Sequence, residues 1–343
     1  MNYRNNKLPI SVLIPAKNEE INLPDCLKSV AKAEQIILVD SQSEDRSVEI
    51  AKEYGAEVIQ FYYPGTGPKK KNWSLEHLDP DNENRDPRVK ATGCYFRHDW
   101  VLIVDCDERI TEELWQEIAS EIENPSYDGY YLKRKIIFLG KWLRHGGKYP
   151  DRNLRLFKRQ LGRYEDLGIG NVPNTGDNEV HEHVILRNSQ GEILEERTGY
   201  LKEDMLHIDF RDIRQWIDRH NRYSTWEAAF YDKLLKGELP EVKFAGPIWK
   251  QGPRRTRLLR KIWIHLPLRS FLRFILVYVF LLGFLDGRQG YIFACLISQY
   301  EYQIGVKLYE LRKFGSASPT THSRNGLANN TSTASLAASN LIK

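Results

Sequence analysis

Residues Trp100 to Arg109 read WVLIVDCDER, an apolar run that stops at Asp105-Cys106-Asp107-Glu108. A short run rich in Val and Ile and ended by charge is the pattern of a buried strand that delivers carboxylates to the edge of a sheet. In open α/β folds that carboxyl edge is where ligands bind. Aspartates one residue apart converge only if the chain turns sharply there. Hard divalent cations accept one or two carboxylates together with phosphate oxygens, so Asp105 and Asp107 suit a complex of Mg²⁺ or Mn²⁺ with a diphosphate. The competing reading is structural: a strand-ending Asp often caps a helix, and Glu108-Arg109-Ile110-Thr111 could open a helix over Glu112–Ile122.

Around this pair lie elements able to position it. Ile10–Pro15 is a second apolar strand, followed by Ala16-Lys17-Asn18-Glu19-Glu20 and a helical stretch over Leu23–Ala33. Gln35–Val39 is a third, ending in Asp40-Ser41-Gln42-Ser43 before a helix over Val48–Tyr54, which Gly55 closes, and Ala56–Gln60 is a fourth. Strands alternating with helices imply βαβ units and a parallel sheet. Three of the strands send polar, acid-bearing loops to one edge.

The series IPAKNEE, ILVDSQSEDRS, Lys69-Lys70-Lys71-Asn72 and VLIVDCDE resembles glycosyltransferase family 2, in order and in spacing. The resemblance continues through Phe138–Trp142, His145–Asp151, Arg155–Arg159 and Val180–His183, covers roughly residues 8 to 310, and is most similar to the branch containing lipopolysaccharide-core β-glycosyltransferases. It implies an α/β protein of the GT-A (Rossmann-like) type, a mixed sheet flanked by helices, with an inverting transfer from a nucleotide-sugar, most simply a UDP-sugar. It implies that Pro15, Ala16, Asn18, Glu19 and Asp40 hold the base and ribose, with Lys71 and Asp105 nearer the phosphates. His207 is implied as a third ligand beside Asp105 and Asp107. Where many members carry two adjacent acids, this chain has Asp40-Ser41.

For the acceptor the resemblance points to an acid downstream of the RLFKR strand as the base that deprotonates the hydroxyl. Glu182 holds that place along the chain, and Asp151, before the strand Asn153–Phe157, is the second candidate. His181 and His183 flank Glu182, but no Cys or further His stands at a zinc spacing. Asp79–Asn84 has alternating acids without the Gly and closing Glu of a calcium loop and reads as a solvated loop.

The chain has 343 residues and a formal charge of +4, enough for one large domain and an extension and no sign of a nucleic-acid partner. Its sequence divides into a catalytic domain over 1–205, a helical bridge over 206–250, membrane-associated helices over 251–314 and a disordered tail over 315–343 rich in Ser, Thr, Asn and Ala. Lys250–Lys261 is a cationic cluster without an acid. The uninterrupted apolar stretch Phe274–Leu285 and the shorter Tyr291–Ser298 are each too short to span a bilayer. Helices of this kind beside a basic patch suit an anionic membrane surface, the alternatives being a helical pair buried against the catalytic domain or a tilted hairpin. Polar residues before the first strand and cysteines without disulfide spacing place the expected enzyme on the cytoplasmic face of the inner membrane, peripheral or monotopic, with a lipid-linked or glycolipid acceptor. Two other classes are weighed against this. A sugar nucleotidyltransferase should carry a glycine-rich phosphate loop that IPAKNEE lacks, and a non-catalytic nucleotide-binding adaptor should have lost the strand-end acids.

Overall fold

A computed structural model describes residues 7–65, 67–165, 169, 172, 183–208, 212–239 and 259–315. Glu182, His181, the cationic stretch 250–258 and the tail beyond 315 lie outside the described residues. The core is a nine-stranded mixed sheet in the order β3-β2-β1-β4-β8-β6-β11-β5, with β7 paired to β6. β1 (Leu8–Ala16), β2 (Ala33–Asp40), β3 (Glu57–Gln60) and β4 (Trp100–Ile103) are parallel. β8 (Asp151–Lys158) runs antiparallel to β4 and to β6 (Gly129–Phe138), and β11 (Thr198–His207) lies parallel to β6. β5 (Glu108–Arg109) closes the far edge against β11, β7 is Lys141–Trp142, and β9 (Gly162–Tyr164) and β10 (Val184–Leu186) form a separate ribbon. This is the mixed sheet flanked by helices that the sequence leads one to expect.

The parallel half forms because its strands are apolar on both faces, as a sheet covered by helices on both sides requires. Ile10, Val12 and Ile14 pack with Leu27 of α1 (Leu23–Ser29), Ile50 of α2 (Ser47–Glu53) and Leu114 and Trp115 of α5 (Glu112–Glu123). Leu13, Ile37 and Val39 pack on the other face with Trp73 of α3 (Lys70–His77) and Val89 of α4 (Pro87–Thr92). Ser11, buried mid-strand, donates to the Gln35 side chain at 2.6 Å, which removes the cost of an unmatched hydroxyl. α1 ends four residues before the expected Ala33 because that residue already begins β2. Thr111 caps α5 by accepting from the Leu114 amide, so the capping reading of this stretch holds at Thr111 and leaves Asp105 and Asp107 to other work.

After β11 the chain is helical. α6 (Ile213–Lys236) is capped by Asp212, and α7 (Arg269–Ile275) runs into a π-turn, Leu276–Phe280, and a 3₁₀ turn, Gly283–Asp286, before α8 (Gly287–Phe314). The break in the apolar region falls at Leu281–Leu282, inside the stretch Phe274–Leu285 that reads as uninterrupted in the sequence. The residues from Gly287 on begin α8, which extends well past the apolar Tyr291–Ser298. Trp226 and Phe230 of α6 pack on Ile304 and Leu308 of α8, and Val277, Phe293 and Ile297 pack with Trp216 and with Phe138 and Leu143 of the sheet domain.

Candidate active site

The topology brings the chemistry to one edge. β11 runs parallel to β6, which shares the direction of β4, so His207 at the carboxyl end of β11 emerges beside the Asp105–Asp107 turn after β4. β8 runs the other way, so Asp151 at its start lies at the same edge. The Ile208 amide donates to the Asp107 carbonyl at 2.8 Å, locking the end of β11 to the turn. The His207 Nε2 then lies 3.3 Å from Asp107 Oδ2, and Arg219, from α6, brings its Nη1 to 3.6 Å from the same oxygen.

Behind this half-buried group lies a ladder of alternating charge. Lys71 Nζ is 2.9 Å from Asp105 Oδ1, and Arg155 Nη2 donates both to Asp105 Oδ2 at 2.6 Å and to Glu108 Oε1 at 2.8 Å. Arg134 Nη1 meets the same Glu108 oxygen at 3.2 Å, and its Nε donates to Asp151 Oδ2 at 2.8 Å. The Asp105 amide donates to Glu108 Oε2 at 2.8 Å, which fixes the turn. Glu108 and Arg155 are buried, and each is matched on both sides, the condition under which buried charge is tolerated. Burial alone would raise the Asp105 carboxyl, but Arg155 and Lys71 outweigh it and hold the group well below the ordinary carboxylate range. Asp151 follows the same logic: burial raises it, and Arg134, Lys148 and His207 together bring it down.

This geometry redistributes the roles expected of the acids. Both Asp105 oxygens already face cations, so Asp105 orders Lys71 and Arg155 and is a poor open ligand for a metal. Asp107 and His207 face one another and are the better pair of donors; among the described residues no group of three or more His, Cys, Asp or Glu side chains surrounds one point. Asp151 is ionised and clamped by Arg134, which counts against it as the base.

On the nucleotide side the loops after β1 and β2 zip together. The Asn18 amide donates to Ser43 Oγ and the Glu44 amide to Asn18 Oδ1, both at 2.8 Å, while the Glu19 amide donates to Ser47 Oγ at 2.8 Å. Asn18 sits at φ +54°, a left-handed conformation that Asn adopts more readily than most residues. Asp40 is fully buried and accepts from the Ser43 amide at 2.9 Å and from Gln60 Nε2 at 3.0 Å. It therefore shapes the loop from beneath, in addition to whatever it offers a ligand. Lys70 donates to the Ala16 carbonyl at 2.9 Å and pins the start of α3 against the end of β1, and the Pro15 carbonyl accepts from the Cys106 thiol. Asn72 does not face the site: its side chain bridges the backbone of Tyr164. The Asp79–Asn84 loop is tied down and not merely solvated, since Asp79 is buried against Arg159, which also meets Asp81 at 2.9 Å.

Sequence reasoning missed Arg134, Arg155, Glu108 and Arg219 as parts of the site. Arg155 carried a signal, a lone cation within a strand of buried neighbours, because such a group demands a buried acid. Arg219 carried none, since its distance from Asp107 along the chain gives no hint of contact.

Residues 11–66 match the family model described as "Glycosyl transferase family 2". The lipopolysaccharide core biosynthesis glycosyltransferase LpsC of Rhizobium meliloti is 27% identical over 252 residues, spanning 71% of this chain and 79% of LpsC. By these likenesses the chain is similar to family 2 glycosyltransferases. An uncharacterized glycosyltransferase of Rickettsia bellii is 25% identical over 67% of this chain and 69% of its own. Among solved structures, S. aureus TarS 1–349 in complex with UDP-GlcNAc aligns at a TM-score of 0.37 and 15% identity, over 87% of this chain and 92% of that one.

Proposed function

We propose that this glycosyltransferase moves a sugar from a UDP-sugar, with inversion, to a lipid-linked or lipopolysaccharide-type acceptor at the cytoplasmic face of the inner membrane. The observation that carries the reading is the convergence of Asp107, His207, Arg219 and Lys71 at the carboxyl edge of the parallel half of the sheet. The uracil and ribose would lie over the zipped Pro15–Glu19 and Asp40–Ser43 loops. The diphosphate would lie over Asp107, where Lys71, Arg219 and the amides opening α3 offset its charge.

The donor set fits a divalent ion: one carboxylate and one imidazole 3.3 Å apart, with phosphate oxygens to complete the shell. Asp107 and His207 would hold Mg²⁺ or Mn²⁺, with Asp105 behind them as the acid that orders Lys71. Bound there, the ion would supply stabilisation of negative charge on the departing diphosphate. Lys71 and Arg219 act in the same sense on the same charge, and being fixed beforehand by Asp105 and Asp107 they need little reorganisation at the moment of reaction. Glu182 is the proposed base, because the competing Asp151 is neutralised by Arg134.

The acceptor class is supported by the name of the R. meliloti relative and by the bent apolar pair at the carboxyl end, Arg269–Phe280 with Gly283–Phe314. The test is to delete the gene from its source organism and compare lipopolysaccharide and glycolipid extracts by mass spectrometry. Loss of one hexose-sized unit from a lipid-linked glycan, restored by the wild-type gene and not by Asp107→Ala, is the expected result. Unchanged glycolipids with altered sugar-nucleotide pools would favour the nucleotidyltransferase class instead.

A further inference from the structure

We infer that the turn Val279–Leu285 is a rigid wedge seated in one leaflet of an anionic phospholipid bilayer, placing the mouth of the site at head-group level. The inference rests on the glycosyl-transfer reading for its meaning, and on separate residues for its evidence. Val279, Phe280, Leu281, Leu282, Phe284 and Leu285 stand together at the tip, all exposed, Phe280 to 73%. A contiguous apolar tip of this kind is a surface that seeks a partner. It is not the frayed edge of a core. Val277, Phe293, Ala294 and Ile297 from the same segment are packed inward against Phe138, Leu143 and Trp216, which leaves the tip residues on the opposite side.

The tip is also held in place. Asp286 is buried and accepts from the His145 amide at 2.8 Å, its other oxygen lies 2.9 Å from His145 Nδ1, and its carbonyl accepts from Lys141 Nζ at 2.7 Å. The Gly146 amide donates to the Leu281 carbonyl at 2.7 Å. The turn is so close that a Cβ on Gly290 would stand 2.0 Å from the Gly283 carbonyl oxygen. A tip fixed in this way cannot fold back to hide its side chains.

Charge selects the occupant. No Asp or Glu occurs between Glu241 and Asp286, and Asp286 itself is turned inward. Lys141, Arg144 and Arg288 are exposed around the base of the wedge. An apolar tip with a cationic collar matches acyl chains beneath anionic head groups. No single described helix is long and apolar enough to cross a membrane, and the helices flanking the break meet at 70°. The wedge dips into the leaflet without crossing it.

Its anchorage leads to the chemistry by two short routes. The loop that grips Asp286 continues through Lys148 into Asp151, which pairs with Arg134. On α6, Trp216 packs on Val277 while Arg219, one turn further, reaches Asp107. The acceptor is therefore a membrane-resident glycolipid whose reacting hydroxyl lies at the interface, offered laterally to the Asp107 edge.

The test uses the full chain carrying Phe280→Cys in a Cys295→Ser background, labelled with an environment-sensitive nitrobenzoxadiazole. Cys26, Cys94 and Cys106 are buried and spared. Lys52→Cys on exposed α2 is the control. With phosphatidylcholine vesicles containing phosphatidylglycerol, the Phe280 probe should shift to the blue and be quenched by acyl-chain nitroxides, and the Lys52 probe should not. Phe280→Ser with Phe284→Ser and Leu285→Ser should weaken vesicle binding by at least about tenfold while UDP binding is unchanged; the single Phe280→Ser should move the same way by less. An unquenched Phe280 probe on vesicle-bound protein would overturn the wedge. So would a lipid-independent dimer, seen by light scattering, that buries the probe. Failure to bind UDP with the wedge inserted would strike the donor assignment and leave the wedge standing.

Discussion

At the scale of single residues the site is a ladder in which each acid sits between cations, and its members differ in what their loss should do. Arg155→Met leaves the fully buried Glu108, and the half-buried Asp105 beside it, short of a partner, so it should cost about 3–5 kcal/mol in urea unfolding. The ladder also sets an acid limit. Asp105 and Asp151 are both held below their ordinary value of 3.8, so the stability they contribute is fully present above that value. It is lost as pH falls through their folded values. Wild-type stability should fall steeply below about pH 4, and Arg155→Met should show a shallower acid limb because Asp105 returns toward its ordinary range. For the base, Glu182→Gln should keep UDP affinity and slow transfer by about two orders of magnitude or more, with Asp151→Asn milder in transfer and more costly in stability. A single-turnover assay paired with a denaturation curve separates them, and the reverse ranking would hand the base to Asp151.

At the scale of elements, β1, β2, β4 and α5 were legible in the sequence because burial on two faces leaves an unbroken apolar run and Thr111 marks a helix start. β6 and β11 were not, since Lys133-Arg134-Lys135 and Lys202-Glu203-Asp204 interrupt both periods with charges that are paired only in the fold, Lys135 and Asp204 at 3.1 Å. The site was half legible for the same reason. Asp105 and Asp107 announce themselves at a strand end, His207 was reached only through resemblance to the family, and Arg219 depends on where α6 packs. The apolar region was readable in composition and not in geometry, because its break is a left-handed Leu282 and not the glycines after Asp286. The close approach there yields a further expectation. Gly290→Ala would drive a methyl into the Gly283 carbonyl, a backbone contact with nowhere to move, and should destabilise by about 1–3 kcal/mol in thermal or urea unfolding.

At the scale of the whole molecule the helical region is not an appendage. α8 covers Trp226 and Phe230 of α6 and, with Val277, covers Phe138 of the sheet domain. Removing residues 259–315 should therefore expose core surface and give an aggregating protein by light scattering. Loss of the wedge alone should not. The inner face of the helical pair is buried against the sheet domain, and only the tip is left for the proposed membrane contact.

The central claim is that the β4–β11 edge holds a nucleoside diphosphate through a divalent ion at Asp107 and His207, and titration calorimetry of UDP against the full chain tests it most directly. With Mn²⁺ or Mg²⁺ present the wild type should bind UDP, with at least about tenfold weaker affinity in chelator, and Asp107→Ala should show the weak affinity in both conditions while melting as the wild type does. Equal UDP affinity with and without metal, or an undiminished affinity in Asp107→Ala, would contradict the account.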